Sequence, residues 1–391
     1  AIGGYGYTRQ KAFGVISCPR QRNMTEGMNV LIQEKEAEGS YYAVGNVEYT
    51  EFAKKMAGDL QFKKLFDKGD FPANTNIIYA NINQVIEATK KMPVPGLLVN
   101  MKQAVETLQD GKEVSLPGAR LESTMQNIAD AMKDQVPSPL TQDKLLHLRT
   151  FVLLNERSKT MSVTKKVYDG SALAETPEGC FYDLLKENCQ LLKERCQFSV
   201  NEMNSPESYM KDGPNVLFLY HPALGPLYSV ISQKISKGSI ANGSELQVEA
   251  AEVKISSLCL DGSLLITAQS ITGGFDPKEK LVNFDDKIGR CRLENVTVKN
   301  RGIDRSQSNS YWKNQIHRKE SLQIILEGDS EFCAKDVQLE GNMEIRVPDG
   351  QRAIATVDNE KKVQVTFEPI TNRPSLQWHY ALDAQYEIVL S

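Results

Sequence analysis

The chain has 391 residues, 40% of them hydrophobic and 25% charged, and its 46 Lys and Arg against 50 Asp and Glu leave a net charge of −4. That length exceeds one small core and points to two domains, while the charge gives no reason to expect nucleic acid or an anionic membrane as partner. No apolar run approaches the length of a membrane-spanning helix.

Seven scattered cysteines (Cys18, Cys180, Cys189, Cys196, Cys259, Cys291, Cys333) are odd in number and form no CxxC. Reduced thiols are expected, not a disulfide framework or a zinc site. The four histidines form no HxxxH or HExxH pattern, so a protein metal cage is not expected.

The sequence begins at Ala1 with no targeting pattern ahead of it, and is expected to be processed, truncated or partly observed. Gly3-Gly4-Tyr5-Gly6-Tyr7-Thr8-Arg9 has the look of a phosphate-cradling glycine loop. Such a loop needs a hydrophobic strand before it and a helix after it. Only Ala1 and Ile2 precede it, and Ala12 to Ser17 reads as a strand, so a flexible lead-in is expected. Val30 to Ile32 is a second strand. Tyr41 to Val44 and Asn46 to Tyr49 follow the turn at Gly39-Ser40 as a hairpin. Glu48 falls near the end of that strand, where a carboxylate either accepts from vicinal sugar hydroxyls or is merely solvated. The solvated reading is preferred for Glu51. Glu26-Gly27 is a tight loop near the same place.

Residues 53–70 read as a Lys-rich surface helix or lid. In Asp70-Phe71-Pro72-Ala73-Asn74-Thr75-Asn76-Ile77-Ile78-Tyr79, Pro72 fixes a turn, and Ile77, Ile78 and Tyr79 read as a buried strand. Asn74 and Asn76 therefore lie where a strand enters the core. Each amide offers two donors and an acceptor, which suits sugar hydroxyls that donate and accept at once. The alternative is that both amides only cap the turn.

Asn83 to Lys91 reads as a helix with Val85, Ile86 and Ala88 inward, stopped by Pro93 and Pro95. Leu97 to Val99 and Glu113-Val114 are short strands around the turn Asp110-Gly111. Leu121, Met125, Ile128, Ala129 and Met132 have the spacing of an amphipathic core helix, from which Glu122 and Asn127 could face a ligand. Phe151 to Leu154 is a buried strand. The loop after it carries Lys165 and Lys166, which either reach phosphates or stay solvated. Thr176 and Pro177 start a helix as N-cap and first residue, with Phe181, Leu184, Leu185, Leu191 and Leu192 as its apolar stripe. Residues 201–215 read as a loop and Val216 to Leu219 as a strand. A helix with the face Leu227, Val230, Ile231 and Ile235 ends at Gly238. His221, with no nucleophile motif nearby, reads as a structural imidazole.

From about Gly238 helical periodicity disappears. Short strands alternate with Gly, Asn and Asp turns, among them Leu246 to Val248, Ser263 to Ile266, Val296 to Val298, Leu322 to Leu326 and Val363 to Phe367. Small rungs stacked in register read this way, as in an irregular β-helix. The expected division is 1–237 and 238–391.

Thr25-Glu26-Gly27-Met28-Asn29-Val30-Leu31, Val47-Glu48-Tyr49-Thr50-Glu51-Phe52, the segment from Asp70 to Asn76 and Arg120 to Asp130 resemble the plastid UTP–glucose-1-phosphate uridylyltransferases of the sulfolipid pathway. His221 to Leu227, Gly243 to Gln247, Leu260 to Leu264, Arg301 to Asp304 and Val347 to Gly350 extend the resemblance along nearly the whole chain. It implies an α/β fold: a partial Rossmann-like nucleotidyltransferase sheet with helices, followed by the C-terminal all-β domain. It implies synthesis of UDP-glucose and pyrophosphate from UTP and glucose 1-phosphate, in the plastid, by a soluble or peripheral protein. Glu48 would accept sugar hydroxyls, Asn74 and Asn76 would contact the sugar, and Gly27 would line its pocket. Lys165 would neutralise phosphate as the catalytic lysine, with Lys166 as the alternative. Mg²⁺ is implied as cofactor, but its Asp ligand, the UTP loop and the uracil-binding residues match nothing here. If this is the whole polypeptide, it is expected to be inactive alone and to expose unpaired sheet edges that another chain would cover. The competing expectation is a non-catalytic structural or binding subunit of a larger plastid assembly.

Overall fold

The computed structural model describes residues 2–21, 24–55, 64, 71–101, 105–137, 139–306, 316–360, 362–371 and 374–391. Most of the helix or lid expected at 53–70, and Asp70, lie outside the described residues. The chain is α/β, and by contacts it divides into two compact units, Ala1–Met161 and Ser162–Ser391.

The first unit contains β1 (Phe13–Pro19), β2 (Met28–Glu36), β3 (Gly39–Val47), β4 (Pro72–Ala80), β5 (Leu97–Met101), β6 (Val105–Gln109), β7 (Lys112–Leu116), β8 (Ala119–Ser123), β9 (Asp134–Val136) and β10 (Thr150–Leu154). Six of them form a mixed sheet in the order β10-β1-β4-β2-β3-β9. β1 runs parallel to β10 and antiparallel to β4. Ala12, Phe13, Val15, Val44, Ala88, Ile128, Ala129 and Met132 form the core on this sheet. The helix Ile82–Lys91 brings Ala88 to that core, and the Asn81 side chain caps it by accepting from the backbone N–H groups of Asn83 and Gln84. Ile86 faces away from the core and is exposed.

Three expectations are corrected in this unit. The glycine-rich start is a helix, Ile2–Thr8. A Cβ on Gly6 would lie 2.5 Å from the Tyr79 ring, so glycine there lets Tyr79 seat against the helix. The Tyr5 ring packs on Phe151 with centroids 4.9 Å apart. Second, Ile77 and Ile78 are 39% and 37% exposed instead of buried. Among the described residues β4 meets β2 only through Met28 and Ala73, and its later half has β1 on one side alone. Third, the helix expected from Leu121 is strand up to Ser123 and 3₁₀ from Met125 to Met132. Leu121 is held opposite Val99 in the β5–β8 ladder and is 70% exposed, while Ile128, Ala129 and Met132 are buried.

The second unit begins with helices. Pro177–Gln190 is capped by the Thr176 hydroxyl, which accepts from the Gly179 N–H, and it runs into a π-helical turn, Leu191–Arg195. Pro206–Asp212, inside the stretch expected to be loop, and Tyr228–Lys234 follow. Its strands are β11 (Phe198–Val200), β12 (Leu217–Tyr220), β13 (Ile235–Ile240), β14 (Glu245–Glu249), β15 (Glu252–Asp261), β16 (Ser263–Ala268), β17 (Gly273–Asp276), β18 (Leu281–Phe284), β19 (Arg290–Lys299), β20 (Leu322–Leu326), β21 (Glu331–Glu340), β22 (Met343–Val347), β23 (Gln351–Val357), β24 (Val363–Pro369), β25 (Tyr380–Leu382) and β26 (Ile388–Leu390). Two stacks result, β11-β13-β15-β19-β21-β23-β24 and β12-β14-β16-β20-β22. All neighbours within them are parallel except β24, which turns back along β23.

This is a β-helix, and its corners have a repeated cause. Lys237, Ser257, Asn295 and Asp336 occupy one register row and all have left-handed backbone, with φ of 58°, 61°, 52° and 54°. One such residue reverses the side-chain alternation and bends each long strand into two short ones. Inside, like stacks on like. Ile255, Leu293, Ala334 and Ala355 form one buried row, Leu260, Val298 and Leu339 a second, and Ile266, Ile324 and Ile345 a third.

The division expected at 237/238 falls inside this unit, at β13. β11 and β12 already pair with β13 and β14, and Leu191, Leu192, Phe198, Phe218 and Ile231 share the β-helix core. The helices before residue 238 are packed on the first rungs because their apolar faces have this core to cover.

Two buried carboxylates are held by arginines. Glu245, fully buried, receives two hydrogen bonds of 2.6 Å from Nε and Nη2 of Arg318. In the row Glu252, Arg290, Glu331, Arg352 the signs alternate from rung to rung. All seven cysteines are free thiols. Burial pushes the Cys189 and Cys196 thiols up to about 12.

Arg318→Leu leaves the Glu245 carboxylate buried without its partner, and is expected to cost about 3–5 kcal/mol in urea unfolding followed by circular dichroism. In native alkylation followed by peptide mapping, exposed Cys259 is expected to label first. Cys189 and Cys196 are expected to label only on unfolding, because the thiolate is the nucleophile.

Candidate functional site

The polar end of the first unit's sheet is built on a mismatch. Val15 pairs with Ile78 and Ser17 with Asn74, so Thr75, Asn76 and Ile77 stand opposite Ile16 alone. The extra residues form a bulge, a device that re-aims side chains. Thr75 replaces the lost ladder bonds: its hydroxyl donates to the Ile16 carbonyl at 2.6 Å and accepts from the Ile77 N–H at 3.2 Å. Asn76 takes the left-handed backbone, φ 59°, which asparagine tolerates better than most residues.

The two amides lock to each other. Asn74 Nδ2 donates to Asn76 Oδ1 at 2.8 Å, and the Asn76 N–H donates to Asn74 Oδ1 at 3.1 Å. The Asn74 N–H donates to the Gly27 carbonyl at 2.9 Å. Asn74 is buried and Asn76 exposed. The fold thus brings Gly27, Asn74 and Asn76 together.

Gly27 has a neighbour that sequence reasoning passed over. A Cβ there would lie 2.6 Å from Asn46 Oδ1 and 2.8 Å from its Nδ2, so the Asn46 amide occupies the space a larger residue would fill. Asn46 stands opposite Asn29 in the β2–β3 ladder, and Asn29 Nδ2 donates to Ser17 Oγ at 2.6 Å. Asn46 Oδ1 is buried and accepts no hydrogen bond among the described residues. The signal available in sequence was an asparagine two residues before Glu48; which strand faces Gly27 required the register.

Glu48 is exposed and lies just past Val47, the residue that pairs with Met28, where β3 gives way to the helix Tyr49–Lys55. The loop carrying Gly27 is tied down by Glu26. Its nearly buried carboxylate receives Arg157 Nη1 at 2.9 Å and a second, closer bond from Nη2. Cys18, beside this pair, has its thiol raised by burial, which outweighs the opposing charge of Arg157.

Lys165 and Lys166 belong to the second unit and are exposed. Both backbone N–H groups donate to the Glu175 carbonyl, and Lys165 Nζ lies 3.5 Å from the Glu175 carboxylate. His221 Nδ1 accepts from the Ala223 N–H at 3.1 Å and caps the 3₁₀ turn Pro222–Leu224, as a structural imidazole does. Among the described residues no group of three or more His, Cys, Asp or Glu could hold a metal ion.

Residues 235–391 match the family described as UGP3-like, C-terminal hexapeptide repeats. Over 400 aligned residues the chain is 36% identical to UTP--glucose-1-phosphate uridylyltransferase 3, chloroplastic, of Arabidopsis thaliana, covering 99% of this chain and 45% of that protein. The chain therefore spans about half the length of the curated relative it matches. Two mutants of UDP-glucose pyrophosphorylase from Leishmania major, both solved in complex with UDP-glucose, are 11% and 10% identical. Each comparison covers 86% of this chain and 53% of the other, with TM-scores of 0.25 and 0.28.

Asn76→Gly removes the amide but keeps the left-handed backbone, and thermal unfolding is expected to move by less than about 1 kcal/mol. Asn76→Val at the same φ is expected to cost about 1–2 kcal/mol. Gly27→Ala drives a methyl into the Asn46 amide, and is expected to shift the Asn46 side-chain amide resonances in a heteronuclear NMR spectrum while the fold persists.

Proposed function

With residues 235–391 matching the UGP3-like C-terminal hexapeptide-repeat family and nearly the whole chain similar to a chloroplastic uridylyltransferase, we propose that this chain forms the sugar-binding side and the β-helix of a plastid UTP–glucose-1-phosphate uridylyltransferase. The reaction joins glucose 1-phosphate to the uridylyl group of UTP, releases pyrophosphate and yields UDP-glucose, here as a sulfolipid precursor. Its chemistry is mostly positioning and neutralisation of phosphate charge. The division of the sequence into a sugar-binding part through residue 237 and a β-helix part after it belongs to the same proposal.

The observation that carries the reading is the bulge at Asn76, which holds two asparagines and the Gly27 loop at one end of the sheet. Hexose hydroxyls donate and accept at once, and amides match both. In this reading Asn74 and Asn76 contact the sugar, Gly27 lines its pocket, and Glu48 accepts from vicinal hydroxyls. Lys165 draws phosphate charge away from its present neighbour Glu175, with Lys166 adjacent. These residues engage the sugar and one phosphate; they include no nucleotide loop and no magnesium ligand.

Titration calorimetry tests this with UDP-glucose and glucose 1-phosphate on the full chain. Binding is expected, and Glu48→Ala and Lys165→Ala are each expected to weaken UDP-glucose by about tenfold, the value of one hydrogen bond or ion pair. Absence of binding by either ligand to the folded protein would sink the reading. Tight binding without turnover of UTP and glucose 1-phosphate would favour a binding subunit.

A further inference from the structure

Over most of its length β4 has the place of an edge strand and the residues of a central one. β1 pairs with it between Pro72 and Ala80. On its other side, among the described residues, β2 reaches it only at Ala73, and no strand lies beside Asn76 to Ala80. Soluble proteins blunt an open edge with charged side chains, lysine above all. The nine residues from Pro72 to Ala80 include no Asp, Glu, Lys or Arg.

Ile77 and Ile78 are neighbours in a strand and so face opposite sides of the sheet. Both are exposed. Apolar residues on both faces belong to a strand that is covered on both, as in the middle of an α/β sheet. The uncovered apolar surface continues onto the helix Ile82–Lys91, where Ile82 and Ile86, one turn apart, are also exposed. Strand addition suits such a flank, because the backbone edge supplies hydrogen bonds and the isoleucines supply burial.

We infer that the nucleotide-binding part of the enzyme docks on this flank, adding an uncharged strand beside Asn76 to Ala80 and covering Ile77, Ile78, Ile82 and Ile86. The inference rests on the sugar-binding reading above, which leaves the nucleotide to another segment or chain. The aligned region is 45% of the Arabidopsis thaliana relative, so more than half of that protein is available to supply such a part. The added strand begins at Asn76, so the bulge that holds Asn74 and Gly27 is also the seam at which nucleotide and sugar meet.

Hydrogen exchange read by mass spectrometry tests this by comparing the full chain with the intact Arabidopsis relative. The outward amides from Asn76 to Ala80 are expected to exchange fast in this chain. At the aligned positions of the relative they are expected to be slower by about tenfold or more. β1, paired on both sides, is expected to be protected in both proteins. Ile77→Lys and Ile82→Gln are expected to leave the melting temperature of this chain within about 2 °C. The same side chains at the aligned positions of the relative are expected to lower its melting temperature by about 4 °C or more. A role inside this chain alone would lower both equally. In titration calorimetry UTP is expected to bind the relative, a uridylyltransferase, and not this chain. Equal exchange in the two proteins, new protection at β10 in place of β4, equal losses of melting temperature, or UTP binding by this chain alone overturns the inference. Slow exchange at β4 in the relative, with no binding of glucose 1-phosphate to this chain, removes the sugar reading and leaves the docking standing.

Discussion

The candidate site depends on one constraint: β1 and β4 share a ladder in which β4 is longer. Between the Val15–Ile78 and Ser17–Asn74 pairs, three residues must face one. The surplus is absorbed by Thr75, which bonds back to the Ile16 carbonyl, and by Asn76, which accepts the left-handed backbone. The Asn74–Asn76 bonds and the grip on Gly27 follow from that geometry. The Glu26–Arg157 pair then anchors the loop from its other end. A bulge tied down on both sides is a rigid support, and rigid supports are what a binding site needs.

The β-helix uses the same backbone device for a different end. Its left-handed residues recur at one height on successive rungs, and Asn295 Nδ2 bonds Asp336 Oδ1 at 2.8 Å between neighbouring rungs. There the repetition makes corners, so that stacked rows of Ile, Leu, Val and Ala fill the interior. Buried charge is admitted at Glu245 and along the Glu252 row only with an opposite partner at hand, since an isolated buried carboxylate would cost several kcal/mol. From the helical stretches before residue 235, Leu191, Leu192 and Ile231 join this core, while Leu185 packs with Leu217 and Ile303 in a smaller cluster.

The candidate residues differ in how committed they are. Asn74 is buried and its amide bonds Asn76, whereas Glu48, Asn76 and Lys166 are exposed. Lys165 lies beside Glu175, so any phosphate it meets must compete with that carboxylate. Asn46 is the reverse case, a buried acceptor with nothing to accept.

Much was legible in the sequence. The strand–turn texture after Gly238, the Thr176–Pro177 helix start and the structural role of His221 each rest on local chemistry: residues that cap, turn or alternate; the grouping of Gly27 with Asn74 and Asn76 was implied by the resemblance. What required the tertiary structure was every question of which face meets what. Ile77 and Ile78 read as buried because they are apolar, yet half of β4 has a neighbour on one side only. Leu121 fits a helical stripe, yet the β5 ladder claims it as strand. The glycines before Arg9 suggest freedom, yet Gly6 is the contact that admits Tyr79. Asn46 stands two residues before Glu48, but its meaning comes from a register between strands. Periodicity and capping are properties of neighbours in the chain and can be read there; burial and unanswered hydrogen bonds are properties of neighbours in space, and only the folded chain decides them.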